Sequence, residues 1–383
     1  MSSESVPRSP LRVSIDVTSL LHEATGVGVF TREVVDGLAA RDDVELTVFA
    51  VSWRGRSHLA TAAPDGVTVR SRPVPARLAR AAWARTGVPT ARHLAGPADV
   101  VHGPNFVVPP GGGAAEVVTV HDLTALRYPQ MCTPDVLEWP PLLRRALRRG
   151  AWVHTVSEFV AAEVREAFPE AGDRVVAVPN GLRPPPDADA ASDAAAGHHL
   201  AGGSRYVLAL GSVDPRKDLP TLVHAFDSLA TRDDDLRLVI AGGDGLGTPH
   251  LEAAVEASPF ARRIVRLGRV DERQRLGLLR GATVVAYPSV YEGFGLVPLE
   301  AMAVGTPVVA TRVGAVPEVV GDAALLVAAH DTDALAVSLG QVLADVRLAE
   351  SLAAEGRVRA ARFSWLTTVD GLVGLYRTAA AAR

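Results

Sequence analysis

Lysine is almost absent from this chain. Of its 39 basic residues, Lys217 alone is lysine and all the others are arginine, so positive charge has been placed as guanidinium nearly everywhere. Cysteine is as scarce, with Cys132 the single thiol in 383 residues. One thiol cannot form an internal disulfide, which excludes a disulfide-stapled fold and leaves nothing that calls for an oxidising compartment. Long apolar runs are missing too. No stretch reaches the ~18 apolar residues of a membrane-spanning helix, and the opening MSSESVPRSPLRVSIDV lacks the charged and then apolar regions of a secretory leader. A soluble, cytoplasmic protein is expected. Nor is there an excess of positive charge: a net charge of -4 gives no global attraction to nucleic acid, and none is expected as a partner.

What is present is a repeated rhythm. Short Val- and Ile-rich runs at 11–17, 44–51, 117–123, 152–157 and 175–180 alternate with helix-period segments such as 28–40 and 158–168. That pattern predicts a mostly parallel sheet covered on both faces. The stretch RPPPDADAASDAAAGHHLAGGS then breaks the rhythm, and its prolines, glycines and small polar residues read as a linker. Strand-like runs resume at 206–212, 236–243, 264–270, 282–289, 306–311 and 324–328. The fold class expected is therefore α/β, two Rossmann-like doubly wound domains: one over 1–183, a linker over 184–204, and a second over 205–364. A final helix pattern over 365–383 offers Trp365, Leu372, Leu375 and Tyr376 for packing, on the first domain or elsewhere. Open α/β sheets bind ligands at the carboxyl ends of their strands, so the loops there, facing a cleft between the domains, are where chemistry is expected.

The most informative loop is VYEGFGLVPLEAMAVGTPVVAT, residues 290–311. Gly293 and Gly295 allow close backbone approach, and LVPLEAMAVG has helix character with Pro298 in its first turn. Amides at such a helix start point at an anion. Glu292 before the turn and Glu300 after it, eight positions apart, can each accept hydrogen bonds from vicinal hydroxyls. A diphosphate with a ribose on one side and a sugar on the other would use both. Glu292 as a solvated side chain, and Glu300 as a helix-dipole partner, are the plainer alternatives.

These residues, with the Glu-x7-Glu spacing, resemble the signature of the family 4 retaining glycosyltransferases of the GT-B fold. LGSVDPRKDLPTLVHAF, LVIAGG, VTVHDL, VSEFV and VPNGL resemble the other segments of that family in order, over nearly the whole chain. The resemblance implies that Glu300 binds ribose hydroxyls, that Glu292 binds donor-sugar hydroxyls near the reacting carbon, and that the backbone at Phe294, Gly295 and Leu296 receives the diphosphate. It also implies that basic residues in DPRK, Arg216 and Lys217, offset the charge growing on the leaving diphosphate. Compact ammonium and forked guanidinium recognise phosphate differently, which suits the survival of Lys217 in a chain otherwise built with arginine. Many members carry arginine just after the strand glycine, where this chain has Ser212. Either Arg216 supplies that charge or the diphosphate has fewer contacts.

In the first half, VTVHDL places His121 at a strand end, and the resemblance implies a sugar-site role for it; a core histidine satisfied by Asp122 or backbone is the alternative. ATGVGVFTREVV, residues 24–35, reads as a turn between strand and helix. It carries Gly26 and Gly28 but Thr31 where a dinucleotide fingerprint wants a third glycine, so a Rossmann oxidoreductase is poorly supported. By resemblance this turn closes over the donor phosphates, or it is an ordinary glycine turn. The pairs Asp187/Asp189, Asp233/Asp235 and Asp331/Asp333 lie in the linker or ahead of helices and read as caps and turns rather than metal ligands. No cofactor and no metal are expected, beyond the donor itself.

The expected activity is metal-independent, retaining transfer of a mannose-like hexose from a nucleotide-diphosphate sugar, GDP-linked in preference to UDP-linked, to a glycan or lipid-linked acceptor in polysaccharide biosynthesis. A nucleotide-sugar epimerase of the same fold and a catalytically silent nucleotide-sugar-binding subunit are the alternatives. Arginines 70, 72, 77, 80, 85 and 92 around Trp83, and 144, 145, 148 and 149, suit weak contact with an anionic inner-membrane surface, or are solvated faces.

Overall fold

The computed structural model describes residues 9–21, 26–53, 59, 63–64, 66–186 and 189–383. They divide into two units: the residues up to Gly181 together with Trp365–Arg383, and Leu182–Ser364. The first unit is built on a parallel sheet of β1 (Leu11–Asp16), β2 (Val44–Phe49), β3 (Thr68–Arg70), β4 (Val100–Gly103), β5 (Ala115–Val120), β6 (Trp152–Thr155) and β7 (Val175–Ala177), in the order β3-β2-β1-β4-β5-β6-β7. The second has β8 (Tyr206–Leu210), β9 (Arg237–Ala241), β10 (Ile264–Gly268), β11 (Val284–Tyr287), β12 (Val308–Thr311) and β13 (Leu325–Val327), in the order β10-β9-β8-β11-β12-β13. Strand order reverses beside the first strand of each sheet, between β1 and β4 and between β8 and β11. At such a switch point the loops leaving the two central strands diverge to opposite faces and open a crevice at their carboxyl ends.

Central strands are apolar on both faces, as a sheet covered on both sides requires. Tyr206, Val207 and Leu208 of β8, and Val284 and Val285 of β11, have essentially no exposure. In the first unit Val13, Ile15, Phe30, Val48 and Leu38 pack on one face and Phe49, Trp83, Val118, Leu147 and Phe168 on the other. In the second, Leu222, Phe226, Leu238, Val284 and Leu339 belong to one cluster.

The terminal helix Trp365–Ala381 packs on the first unit, burying Val369, Leu372, Val373, Leu375 and Tyr376 with Phe30, Val34 and Leu38. Their spacing puts them on one stripe of the helix, and each fully buried side chain contributes about 1.5–3 kcal/mol. Ion pairs Arg41–Asp370 and Arg377–Asp43 flank that stripe.

Residues 184–204, expected as a linker, hold the helix Ala190–Ala201. It lies against the helix Glu272–Gly281 in a contact so close that a Cβ on Gly197 would stand 2.1 Å from the Gly277 carbonyl oxygen. A buried Arg280–Asp193 pair at 2.5 Å holds the two together. Alanines and glycines here are helix-packing residues, not flexible spacers. Strands β3 and β4 leave no Val- and Ile-rich run to announce them: β3 is a largely exposed edge strand and β4 ends in His102 and Gly103.

Candidate functional site

The site forms where β8 and β11 end side by side. After β8 the chain turns through Gly211 and Ser212 into a short 3-10 turn, Pro215–Lys217, and then the helix Leu219–Ala230. After β11 it runs through Pro288–Gly295 into the helix Leu296–Val304. The two loops are tied by the Val290 amide donating to the Arg216 carbonyl at 2.8 Å. Arg216 and Lys217 thus meet Glu292, which lies 75 residues beyond Lys217 in sequence, at one point.

Glu292 is held between both cations. Lys217 Nζ lies 2.7 Å from Glu292 Oε1, and Arg216 Nη1 lies 2.5 Å from Oε2. Lys217 also donates to the Tyr287 hydroxyl at 2.9 Å with its Nζ 4.4 Å from that ring's centre, and Arg216 donates to the Tyr291 carbonyl at 2.9 Å. Side-chain exposure is only 8% for Glu292 and 12% for Lys217. Burial by itself pushes the Glu292 carboxyl up, but the charges of Arg216 and Lys217 outweigh it and hold the group at about 2. Burial draws the Lys217 ammonium below its usual range against the opposing pull of Glu292, and pushes the Tyr287 phenol well above its own. At neutral pH the centre holds one anion between two cations, and Lys217 also lines a small, mostly apolar pocket with Gly211, Ser212, Tyr287 and Pro288.

Backbone conformation fixes where Glu292 sits. Gly314, at φ +53°, lies so close that a Cβ would stand 2.1 Å from the Glu292 carbonyl oxygen, which accepts from the Ala315 amide at 2.9 Å. Gly295, at φ +119° ψ +58°, starts the Leu296–Val304 helix with no side-chain cap. A side chain there would strain the turn, and an uncapped start leaves amide donors for an anion. Phe294 is buried edge-on to Phe363, their ring centres 5.8 Å apart; Gly293 is buried in the same turn. Glu300 follows on the helix, and its carboxylate accepts from Arg275 of the Glu272–Gly281 helix. Ser212 is exposed and donates to Asp214.

His121 lies in the first unit, just beyond β5, where its Nε2 donates to the Pro104 carbonyl at 2.7 Å. That bond assigns the proton to Nε2 and leaves Nδ1 with the lone pair when the ring is neutral. Burial lowers its proton affinity, so the ring is an acceptor at neutral pH. Phe30 and Phe106 flank it, at ring distances of 5.2 and 5.9 Å, and Phe106 has a strained φ of +59°. Gly26 and Gly28 are helical rather than part of a loop ahead of the helix. The helix Gly26–Ala39 begins at Gly26, so both belong to its first turn; Ala24 and Thr25 lie outside the described residues.

Asp331 caps the helix Thr332–Ala344, accepting from the Ala334 amide at 2.8 Å, and Asp233 accepts from the amides of Asp235 and Leu236 and from Arg205. Asp187 lies outside the described residues. Much of the second arginine segment is used internally: Arg149 grips Glu116 at 2.6 Å, Arg144 meets Glu170 at 3.1 Å, and Arg145 donates to the carbonyls of Ala84 and Arg85. Arginines 70, 72, 77, 85 and 92 are exposed, and so is Leu78, at 68%.

No spacing within DERQR marks Arg275, because its partner Glu300 lies on another helix. Asp16, at the carboxyl end of β1, is likewise unmarked. It accepts from the Thr18 amide at 2.8 Å, and burial pushes its carboxyl up to about 6 against those bonds.

Both units of the chain resemble known proteins. Residues 24–184 match the sequence model described as Glycosyltransferase Family 4, and 204–345 match the one described as Glycosyl transferases group 1. An O-antigen chain mannosyltransferase B of Escherichia coli is 31% identical over 283 residues, 73% of this chain and 74% of that protein. A D-inositol 3-phosphate glycosyltransferase of Saccharomonospora viridis is 40% identical over 185 residues, which span 45% of this chain and 42% of that protein. WaaG, a glycosyltransferase involved in lipopolysaccharide biosynthesis, superposes with a TM-score of 0.71 at 18% identity, covering 94% of this chain and 98% of that one. Sucrose-phosphate synthase from Thermosynechococcus elongatus gives 0.74 at 23%, covering 98% and 100%. Two doubly wound parallel sheets, both family matches and the mannosyltransferase likeness place the chain in glycosyltransferase family 4, as a transferase enzyme of the GT-B fold.

Proposed function

We propose that this enzyme transfers a mannose-like hexose, with retention, from a nucleotide-diphosphate sugar to a glycan or lipid-linked acceptor. The observation that carries the reading is the Arg216–Glu292–Lys217 centre beside the uncapped Leu296–Val304 helix. A part-buried pair of cations near the start of a helix is suited to a diphosphate. As the glycosidic bond breaks, negative charge grows on the leaving phosphate, and Arg216, Lys217 and the amides at Leu296 and Val297 stabilise it without a metal.

Glu292 has two parts in this reading. It holds the two cations in place, and it accepts hydrogen bonds from the donor sugar's hydroxyls. Glu300 accepts from the ribose hydroxyls, while Phe294, Gly295 and Leu296 shape the turn that receives the phosphates. In the first unit His121, with Nδ1 as an acceptor, serves a sugar hydroxyl. The departing phosphate takes the acceptor's proton as the new bond forms on the same face of the sugar. A GDP-linked donor is favoured over a UDP-linked one by the likeness to a mannosyltransferase. Weak contact with an anionic membrane surface is assigned to the exposed arginines 70, 72, 77, 85 and 92.

The test is turnover. The enzyme is incubated without metal with GDP-mannose or UDP-glucose, with and without a polyprenyl-linked or free oligosaccharide acceptor, and products are read by mass spectrometry and anomeric NMR. An acceptor-dependent product of retained configuration supports the reading. Conversion of the donor sugar without acceptor would replace it with an epimerase.

A further inference from the structure

We propose that Arg275 is a positioning residue for nucleotide binding, orienting Glu300 so that its carboxylate meets the two ribose hydroxyls. This rests on the assignment of Glu300 to the ribose and extends it to a residue on a different helix.

Arg275 donates through Nη2 to Glu300 Oε2, while its Nη1 lies 3.7 Å from Glu272 Oε1. The side chains are 27% and 16% exposed, so the pair is largely out of water, and burial draws the Arg275 guanidinium down from its usual range. A charge-assisted bond in such surroundings is stronger and more directional than a surface ion pair.

Arg275 is itself firmly placed. The helix Glu272–Gly281 opens with a capping box between Asp271 and Gln274. At its far end the Tyr206 hydroxyl donates to the Leu278 carbonyl at 2.7 Å, and the Thr306 hydroxyl to the Leu279 carbonyl at 2.6 Å. With the Arg280–Asp193 pair at 2.5 Å, three anchors fix this helix within two turns of Arg275.

A carboxylate offers about four lone-pair positions. Arg275 engages Oε2, which sets the plane of the group and leaves Oε1 and the remaining lone pair of Oε2 for a vicinal diol. Without the guanidinium, Glu300 loses a charge-assisted partner and becomes a part-buried carboxylate free to rotate away from the diol.

The experiment titrates the purified full chain calorimetrically with GDP and with UDP, each beside its 2′,3′-dideoxy counterpart, using wild type, Arg275→Gln, Arg275→Lys and Glu300→Gln. Arg275→Gln is expected to weaken the nucleotide that binds wild type about tenfold. It should leave the dideoxy compound's affinity unchanged, because the contact it supports no longer exists there. Arg275→Lys should recover part of the loss. An equal loss for both compounds would make Arg275 a structural residue only, and unchanged or tighter binding of the ribose form would likewise overturn the proposal. Wild type binding neither nucleotide, or Glu300→Gln binding both normally, would instead overturn the assignment of the ribose site. Matching melting curves for wild type and Arg275→Lys provide the check on folding.

Discussion

Lys217 Nζ stands 2.7 Å from Glu292 Oε1 and 2.9 Å from the Tyr287 hydroxyl, with the side chain only 12% exposed. A guanidinium has a planar fork and no position that reproduces both contacts in so enclosed a place. Lys217→Arg, which keeps the charge, is therefore expected to lower kcat/KM about a hundredfold, roughly 2.7 kcal/mol of transition-state stabilisation. Steady-state kinetics with a folded variant checks it, and full activity would show that any cation suffices there.

Gly314 and Gly374 make a matched pair. At Gly314 both the positive φ and the 2.1 Å approach to the Glu292 carbonyl forbid a side chain, so Gly314→Ala should displace Glu292 and cut turnover at least tenfold. Gly374, exposed on the terminal helix with open space around its Cβ position, should gain up to about 1 kcal/mol as alanine. Urea denaturation and turnover on both variants separate the two effects.

Asp16 and Glu292 respond to pH in opposite senses. Burial raises the Asp16 carboxyl to about 6. An acid so raised favours folding while protonated; that contribution is complete below its ordinary value near 3.8 and is lost as pH rises through about 6. Asp16→Asn retains an acceptor for Thr18, so it should match wild type near pH 4 and exceed it at pH 8, by about 1–3 kcal/mol. Glu292, held at about 2, contributes stability above its ordinary 4.5 that is lost as pH falls towards 2. Thermal melts across pH read both.

Buried hydrogen bonds in the first unit run in one direction. The Tyr376 hydroxyl pairs with His102 Nδ1 at 2.7 Å, His102 Nε2 with Thr119 Oγ1 at 2.7 Å, Thr119 Oγ1 with His154 Nδ1 at 2.9 Å, and His154 Nε2 with the Val178 carbonyl at 2.9 Å. The carbonyl can only accept, so His154 carries its proton on Nε2. Each bond before it is then directed, with Tyr376 donating first. Burial pulls His154 down to about 3 and His102 well below its usual range, so both rings are neutral. Tyr376→Phe orphans the buried His102 Nδ1 and should cost about 1–3 kcal/mol, measured by urea denaturation. An unchanged midpoint would mean the chain of bonds contributes nothing to docking the terminal helix.

The alternation of apolar runs made both sheets legible, because buried parallel strands leave continuous Val and Ile segments. The turn at Glu292 was legible as a motif, since Gly293, Gly295 and Pro298 each answer a local backbone demand. What spacing could not convey was contact across loops. Lys217 and Glu292 were read as neighbours at one ligand, whereas here they also hold each other, and Arg275 carries no local mark of its reach to Glu300. The helix Ala190–Ala201 stands where the sequence suggests a linker for a physical reason: small residues that let two helices touch have the same composition as those that keep a linker loose.

The proposed nucleotide-diphosphate site is built on Lys217, Glu292 and Glu300. Its most direct test is calorimetric titration of GDP, UDP and ADP without metal against wild type and Glu300→Ala. One nucleotide should bind wild type, and the variant should lose at least tenfold in affinity. If no nucleotide binds, or if the variant binds as tightly as wild type, the site has been assigned to the wrong ligand.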